Sequence, residues 1–429
     1  MPAGPAIRFW YALYNLLLWF GVLVCAPFWV VVRLVRGRYR GQFRERMGIL
    51  SPEIRRCFGD RPAIWIHAAS AGETASAVPL VRMLKAAHPD VPFLFTVTSR
   101  YGKEMAQRQL GETVEAIAFS PLDLPVFDRR FLDLVQPRLY LMVETDLWPN
   151  LVRMAKRRGA RVAVASGHAG QGTLPRSFWR AVFTHVDRFW MQSETDAVNI
   201  VRRGAASDCV EATGNFKFDS VGGKAPADQR DQVREEFGMP EGCPVLVAGS
   251  VLAEDEGPVL DAIAALRKEG LDLCAIVAPR RQERVSPVVD ACAARGLEAV
   301  RRTQGGRAPI LILDTMGELA RSYNLASVAY VGGGLTPEVG LHNLIEPLVC
   351  GAPVLFGPHH GKAWRIAAEI QRLDAGLEIE DGAALLPALR LVLTDPVEHR
   401  RLVDAGTRLL ELHQGATARV ADRIERWLA

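Results

Sequence analysis

The stretch Ala63-Ile64-Trp65-Ile66-His67-Ala68-Ala69-Ser70-Ala71-Gly72-Glu73 begins apolar and ends in small residues and a carboxylate. Behind it, Ala77, Leu80, Val81 and Leu84 recur at helical spacing. The segment therefore reads as strand, tight turn and helix. Its apolar residues are successive rather than alternating, as in a parallel strand covered on both faces.

The same unit recurs along the chain. Strands are expected at 63–68, 93–98, 139–143, 161–165 and 189–192, then at 245–248, 274–278, 310–313, 328–331 and 353–356. Amphipathic stretches lie between them, which argues for α/β architecture with parallel sheets. Between the two sets, 219–244 holds Gly222, Gly223, Pro226, Gly238, Pro240 and Gly242. It reads as a linker with a short helix at 228–237. Residues 397–428 read as one or two helices. The expected organisation is an N-terminal segment (1–50), a first Rossmann-like domain (51–218), the linker (219–244) and a second Rossmann-like domain (245–429).

The first 50 residues are of another kind. Residues 9–32 contain no charged side chain. As a helix these 24 residues would reach about 36 Å, against a hydrocarbon core of about 30 Å. Trp10, Tyr11, Trp19 and Trp29 suit headgroup depth, and Arg33, Arg36, Arg38, Arg40, Arg44 and Arg46 follow. The basic n-region and cleavage site of a signal peptide are missing. The segment reads as an uncleaved membrane anchor that leaves the rest of the chain in the cytoplasm. Pro27 would kink a spanning helix, so a helix lying in the interface is the alternative.

Composition narrows the rest. Of 429 residues, 49% are hydrophobic and 23% charged, so bulk disorder and coiled coil are poor readings. A net charge of +4 gives no reason to expect nucleic acid as a partner. The seven Cys contain no C-x-x-C pair and fit reduced thiols.

Ligands of open α/β sheets bind outside the carboxyl ends of the strands. The unusual residues cluster there. Strand 63–68 leads to Glu73 and strand 139–143 to Glu144-Thr145-Asp146. Thr213-Gly214-Asn215-Phe216-Lys217-Phe218-Asp219 closes the first half. In the second half Arg280-Arg281, Asp314–Leu319, Gly332–Gly334 and His342–Pro347 occupy the equivalent places. Each has a plain alternative: Glu73 as a helix-capping carboxylate, Glu144 and Asp146 as solvated turn residues, the glycines as tight turns. Taken together, a glycine run followed by a helix starting near His342 would suit a phosphate. Asn343 and Glu346, three apart, would share a helix face and reach ribose hydroxyls. Arg280 and Arg281 suit a phosphate or a base edge. Glu73 and Glu144 across a cleft supply a candidate general base. A nucleotide half facing a carboxylate half is the requirement of a GT-B glycosyltransferase. No two Asp lie two apart, so the D-x-D metal string of the other common glycosyltransferase fold is missing. His67, His342, His359 and His360 lack a spaced metal-ligand set.

At these residues the chain resembles the 3-deoxy-D-manno-octulosonic acid (Kdo) transferases of Gram-negative bacteria. The matching runs, in order, are Gly41–Gly48, Trp65–Glu73, Pro121-Leu122-Asp123, Glu144–Asn150, Thr213–Asp219, Asp314–Leu319 and His342–Pro347. The resemblance implies a membrane-associated, inverting enzyme with no cofactor or metal. It would move Kdo from CMP-Kdo to the glucosamine disaccharide of a lipid A precursor, at the cytoplasmic face of the inner membrane. By motif, Glu73 would be the general base, and Glu144 and Lys217 would stabilise the transition state. Arg280, Arg281, Met316, Gly317, Glu318, Asn343, Leu344, Ile345 and Glu346 would bind CMP. The sequence departs from the usual pattern in five places. P-R-H becomes Pro279-Arg280-Arg281, and N-A-R-L-S becomes Ser166-Gly167-His168-Ala169-Gly170. G-S-T-H becomes Gly249-Ser250-Val251-Leu252, and G-G-S becomes Gly332-Gly333-Gly334. G-G-H-N becomes Gly340-Leu341-His342-Asn343. The alternatives are a glycosyltransferase of the same fold using another nucleotide sugar, and a non-catalytic membrane scaffold.

Overall fold

The computed structural model describes residues 5–36, 40–59, 61–170, 174–221 and 225–428, with side chains at all of these except 26–36 and 40–41. Pro27 as a kink, the side chains of Trp29, Arg33, Arg36, Arg38 and Arg40, and Gly222 and Gly223 of the expected linker lie outside the described residues.

Among the described residues, fourteen strands form two parallel sheets of seven. The first has the order β3-β2-β1-β4-β5-β6-β7. Its strands are β1 (Ile64–His67), β2 (Phe93–Val97), β3 (Ala116–Phe119), β4 (Leu139–Val143), β5 (Arg161–Gly167), β6 (Arg188–Met191) and β7 (Val210–Ala212). The second has the order β10-β11-β9-β8-β12-β13-β14. Its strands are β8 (Val245–Val251), β9 (Cys274–Pro279), β10 (Ala299–Arg301), β11 (Ile310–Ile312), β12 (Val328–Val331), β13 (Val354–Phe356) and β14 (Leu377–Glu378).

Alternate residues of each strand enter different cores. In β1, Trp65 joins Tyr140, Met142 and Val164 on one face, while Ile64 and Ile66 join Leu139, Leu141 and Val143 on the other. In β8, Leu246 and Ala248 pack with Ala275 and Val277, while Val245 and Val247 pack with Cys274 and Ile276. Side chains of a strand alternate between faces, so burial of both faces demands the continuous apolar runs seen in the sequence.

Strand order reverses between β1 and β4 in the first sheet and between β8 and β12 in the second. Those are the switch points where the loops after neighbouring strands diverge and leave room for a ligand.

By internal contacts the chain divides into Met1–Ser220 with His413–Ala429, and Val221–Leu412. The end of the chain thus departs from the expected second domain of 245–429. The reason is apolar packing: Ala416, Val420, Ala421 and Ile424 of helix Ala416–Leu428 are buried with Leu80, Leu84 and Phe216 of the first unit. The helix expected in the linker is present at Ala227–Glu236, and its Val233 is buried in a core of the second unit.

Candidate active site

In the first unit the residues singled out at three strand ends converge. Glu73 is the third residue of helix Ala71–Ala87, which follows β1. The Glu73 N–H donates to Ser70 Oγ at 3.3 Å, Ser70 Oγ–H donates to Glu73 Oε1 at 2.9 Å, and the Ala69 N–H donates to Oε2 at 2.7 Å. This is the reciprocal arrangement of a capping box, shifted by one residue. The capping reading of Glu73 therefore holds, yet it does not exhaust the group. An ionised carboxylate has about four acceptor positions, and two are taken. Burial, and then the negative charge of Glu144, push the Glu73 carboxyl above its ordinary value. Asp146 adds to this, and the two hydrogen bonds oppose it.

Glu144 directly follows β4, with φ of 60°. A non-glycine residue in the left-handed region is sterically costly and concentrates at functional sites. Here it turns the side chain toward Lys217, whose Nζ is 2.6 Å from Oε1; His168 Nε2 is 3.5 Å from Oε2. Burial alone would raise the Glu144 carboxyl. The His168 hydrogen bond and the Lys217 charge outweigh it and hold the carboxyl below its ordinary value. The two glutamates are thus driven apart: one kept ionised, the other ready to hold a proton. Such a split separates acid–base roles in enzymes.

Asp146 belongs to the same cluster and is positioned from within the sheet. Trp65 Nε1–H donates to Thr96 Oγ1 at 2.8 Å, and Thr96 Oγ1 lies 3.0 Å from His67 Nδ1. His67 Nε2 is 3.0 Å from Asp146 Oδ2, which also accepts from Thr98 Oγ1 at 3.2 Å. His67 Nδ1 also lies 3.1 Å from Thr96 O, so the ring bridges β2 and Asp146. Burial would raise the Asp146 carboxyl, but the His67 bond and charge reverse the effect and lower it. The sequence placed His67 and Asp146 in two of the matching runs and weighed them otherwise only as a metal candidate and a turn residue. A histidine at the end of an otherwise apolar strand was the available signal.

The second unit gathers its own set at the switch point between β8 and β12. The Arg280 backbone N–H donates to Val251 O at 2.8 Å; burial, and then the charge of Arg280, hold the His342 imidazole below its ordinary value. Gln282 Nε2 donates to Asp314 O at 2.6 Å, joining the Arg280-Arg281 loop to the loop carrying Met316-Gly317-Glu318. Arg281 and Met316 are exposed, and Gly317 turns with φ of 88°. Glu318 is held within the protein, by Arg302 Nη2 at 3.0 Å and by the Thr315 hydroxyl. Asn343 Nδ2 donates to Glu346 Oε1 at 2.9 Å, and burial pushes the Glu346 carboxyl up.

Two expectations change here. The helix begins at Ile345, not near His342, and has only five residues, Ile345–Val349. Asn343 Oδ1 already accepts the Ile345 N–H at 3.0 Å, and Pro347 has none to give. Few free N–H groups remain for a phosphate. Leu344 and Ile345 are buried, so only their backbone could meet a ligand. The glycine run also serves internal packing. A Cβ at Gly332 would lie 2.6 Å from Ser250 O, and one at Gly333, where φ is 91°, would lie 2.4 Å from Gly340 O. Sequence reading missed Asp255. It is buried and accepts from Tyr330 Oη–H at 2.7 Å, the Gly333 N–H at 2.9 Å and the Leu252 N–H at 2.8 Å. That carboxylate fixes the glycine run to the end of β8.

Comparison with known proteins agrees with this arrangement. Residues 41–220 match the profile of the 3-deoxy-D-manno-octulosonic-acid transferase (kdotransferase) family. A 3-deoxy-D-manno-octulosonic acid transferase of Bordetella pertussis is 30% identical, over 85% of this chain and 87% of its own. One from Chlamydophila psittaci is 29% identical, over 97% of this chain and 96% of its own. Among solved structures, a glycosyltransferase of Rickettsia africae superposes with a TM-score of 0.56 at 10% identity, covering 86% of this chain and 99% of that one. That likeness shows the fold alone, and the fold is GT-B. The chain is a glycosyltransferase and belongs to the 3-deoxy-D-manno-octulosonic acid transferase family.

Proposed function

We propose that this protein transfers Kdo from CMP-Kdo to the glucosamine disaccharide of a lipid A precursor, with inversion at the anomeric carbon. The first unit would act on the acceptor and the second would bind the CMP sugar. The observation that carries the reading is the pair of glutamates with opposed environments: Glu73 raised by burial and by its neighbours, Glu144 held ionised by His168 and Lys217.

In this mechanism the Glu73 carboxylate takes the proton of the acceptor's primary hydroxyl as that oxygen bonds to the anomeric carbon. The bond from that carbon to the CMP phosphate oxygen breaks, and CMP leaves with the electron pair. Attack opposite the leaving group inverts the centre. Glu144, with Lys217 beside it, supplies a fixed charge near the positive character that develops on the sugar ring, an electrostatic contribution that needs no reorganisation. In the second unit, Arg280, Arg281, the Met316–Glu318 loop, Asn343, Glu346 and the backbone at Leu344 and Ile345 would hold CMP. No metal or other cofactor enters the mechanism.

The acceptor is a lipid, which places the reaction at the cytoplasmic face of a bacterial inner membrane. One helix window, Pro5–Cys25, is apolar and long enough to meet a bilayer. Arg33, Arg36, Arg38, Arg40 and Arg44 would face anionic headgroups at about 1 kcal/mol each, while the Arg46 guanidinium is bound to Thr98 O.

A transfer assay with CMP-Kdo and a tetraacyl lipid A precursor, read by mass, tests the reading. Addition of one Kdo mass or a multiple is expected. Stabilisation of the protein by UDP but not by CMP, with no Kdo product, would favour another nucleotide sugar.

A further inference from the structure

The N-terminal helix, Pro5–Arg36, is attached to the first unit at its start. Tyr11 is buried and its hydroxyl donates to Pro149 O at 3.1 Å. The Tyr14 hydroxyl donates to Asp123 Oδ2 at 2.8 Å. Asn15 and Asn150 exchange amide hydrogen bonds at 3.0 and 2.9 Å. Trp10 and Tyr14 pack on Phe178, with ring centroids 6.0 and 5.9 Å apart. Residues 11, 14 and 15 share one helix face, and that face is spent on the protein.

The chain returns to the same place. After helix Arg40–Arg46, the Leu122 N–H donates to Arg46 O at 3.0 Å, and the Arg46 guanidinium donates to Thr98 O. Glu45 takes Lys103 Nζ at 2.7 Å and the Phe119 N–H at 2.9 Å. Tyr14 and Arg46 are therefore held by adjacent residues, Asp123 and Leu122, of one unit.

This double attachment limits where the helix can go. Four residue steps separate Arg36 from Arg40, at most about 14 Å of extended chain. The helix Arg40–Arg46 adds about 9 Å. Arg36 thus lies within about 23 Å of a residue fixed to the catalytic unit, short of the hydrocarbon core of about 30 Å. A spanning helix would also have to carry Tyr11, Tyr14 and Asn15 to the far side and strip Asp123 and Asn150 of their partners.

From Leu16 to Cys25 the helix carries no charged side chain, and most of these residues are exposed. Leu16, Leu17, Phe20, Leu23 and Val24 are 59–70% exposed. A helix apolar all round belongs in a core or in lipid. The basic residues that follow in sequence, Arg33, Arg36, Arg38, Arg40 and Arg44, match an anionic surface.

We propose that this helix is monotopic: its apolar part enters one leaflet of an anionic bilayer, and both its N-terminus and Arg44–Arg46 stay on the side of the catalytic unit. The proposal rests on the membrane reading above. It goes beyond that reading by fixing the topology and by tying the membrane-bound segment, through Asp123 and Asn150, to the loop that carries Glu144 and Asp146.

The test is topological and does not depend on transferase activity. A protease-cleavable epitope is placed before Met1 of the full chain, which is expressed in a Gram-negative host and fractionated. The expected result is protein in the membrane fraction, with the epitope removed by added protease in inverted inner-membrane vesicles and retained in intact spheroplasts. Removal in spheroplasts with protection in inverted vesicles means a spanning helix and overturns the proposal. Recovery of the chain in the soluble fraction, alone or paired with a second copy through this helix, also overturns it. Failure of the Kdo transfer assay leaves these outcomes readable, so the two claims fail separately.

Discussion

Ionising Glu73 adds a negative charge beside Glu144 and Asp146, and that repulsion has consequences for both rate and stability. Its carboxyl is raised in the folded protein, so the fraction able to accept a proton grows as pH rises through that raised value. Activity should climb over the same range. The stability that goes with protonated Glu73 is present below the ordinary carboxylate range and is lost as pH rises through the folded value. Glu73→Gln can still receive the Ala69 N–H but carries no charge. It should lose transfer by about 10²–10⁴-fold, as for a missing general base. Its melting temperature relative to the native chain should improve from pH 4 toward pH 8. A relative melting temperature that falls with pH would mean that burial and repulsion do not raise the group.

Glu144 has the opposite sign. Its carboxyl is lowered, so its contribution to stability is present above the ordinary carboxylate value and is lost as pH falls through the folded value. Lys217→Met removes the 2.6 Å partner from a carboxylate whose side chain is 11% exposed. Lys217 is itself part-exposed, so the expected loss is about 1–3 kcal/mol at neutral pH. Denaturant titration should show the deficit shrinking on acidification, once Glu144 is protonated in both proteins; a deficit that is constant with pH would exclude the ion pair as its source. His168 contributes the remaining partner, where the resemblance leads one to expect arginine.

At the scale of elements, what could be read in the sequence depended on burial. All ten strands expected from apolar runs exist. The four that were not expected are β3, β7, β10 and β14, the two edges of each sheet. An edge strand has one neighbour and needs no continuous apolar run. β7 is Val-Glu-Ala, β10 is Ala-Val-Arg and β14 has two residues. β3, Ala-Ile-Ala-Phe, is apolar but too short to tell from a helix turn by pattern. The site followed the same logic. Strand ends pointed to Glu73 and Glu144, because polar residues after an apolar run stand out; Lys217 follows the unexpected β7 and was singled out by the resemblance. Asp255 and the Trp65–Thr96–His67 chain could not be read this way, since their roles come from contacts between distant segments. Asp219 is a further case. It closes a motif beside Lys217, but its carboxylate accepts the Gly415 N–H, the Thr417 N–H and the Thr417 hydroxyl, each at 2.7 Å. It caps helix Ala416–Leu428 from almost two hundred residues away. Asp219→Ala should cost about 1–2 kcal/mol in stability, with the Michaelis constant for donor unchanged. A large rise in that constant with native stability would make Asp219 a binding residue instead.

For the molecule as a whole, the last helix joins the two ends of the chain in one core. Val420 and Ile424 are fully buried against residues of helix Ala71–Ala87, whose first turn carries Glu73. The Glu73 carboxylate therefore sits on an element that is complete only when the C-terminal helix has folded onto it. Ending the chain at Leu412 would strip two buried aliphatic side chains, at about 2 kcal/mol each by area, and leave Asp219 without the donors it caps. The loss should be confined. Hydrogen exchange followed by mass spectrometry should show faster exchange in 71–87 and in β1 and β2, while β8, β9 and β12 keep their protection, because separate cooperative units can open independently. Transfer should fall with the exposed first unit, and CMP should still stabilise the second. Equal loss of protection in both sheets would mean that the units fold as one body, and the C-terminal helix would then be a support of the whole chain rather than of the catalytic unit.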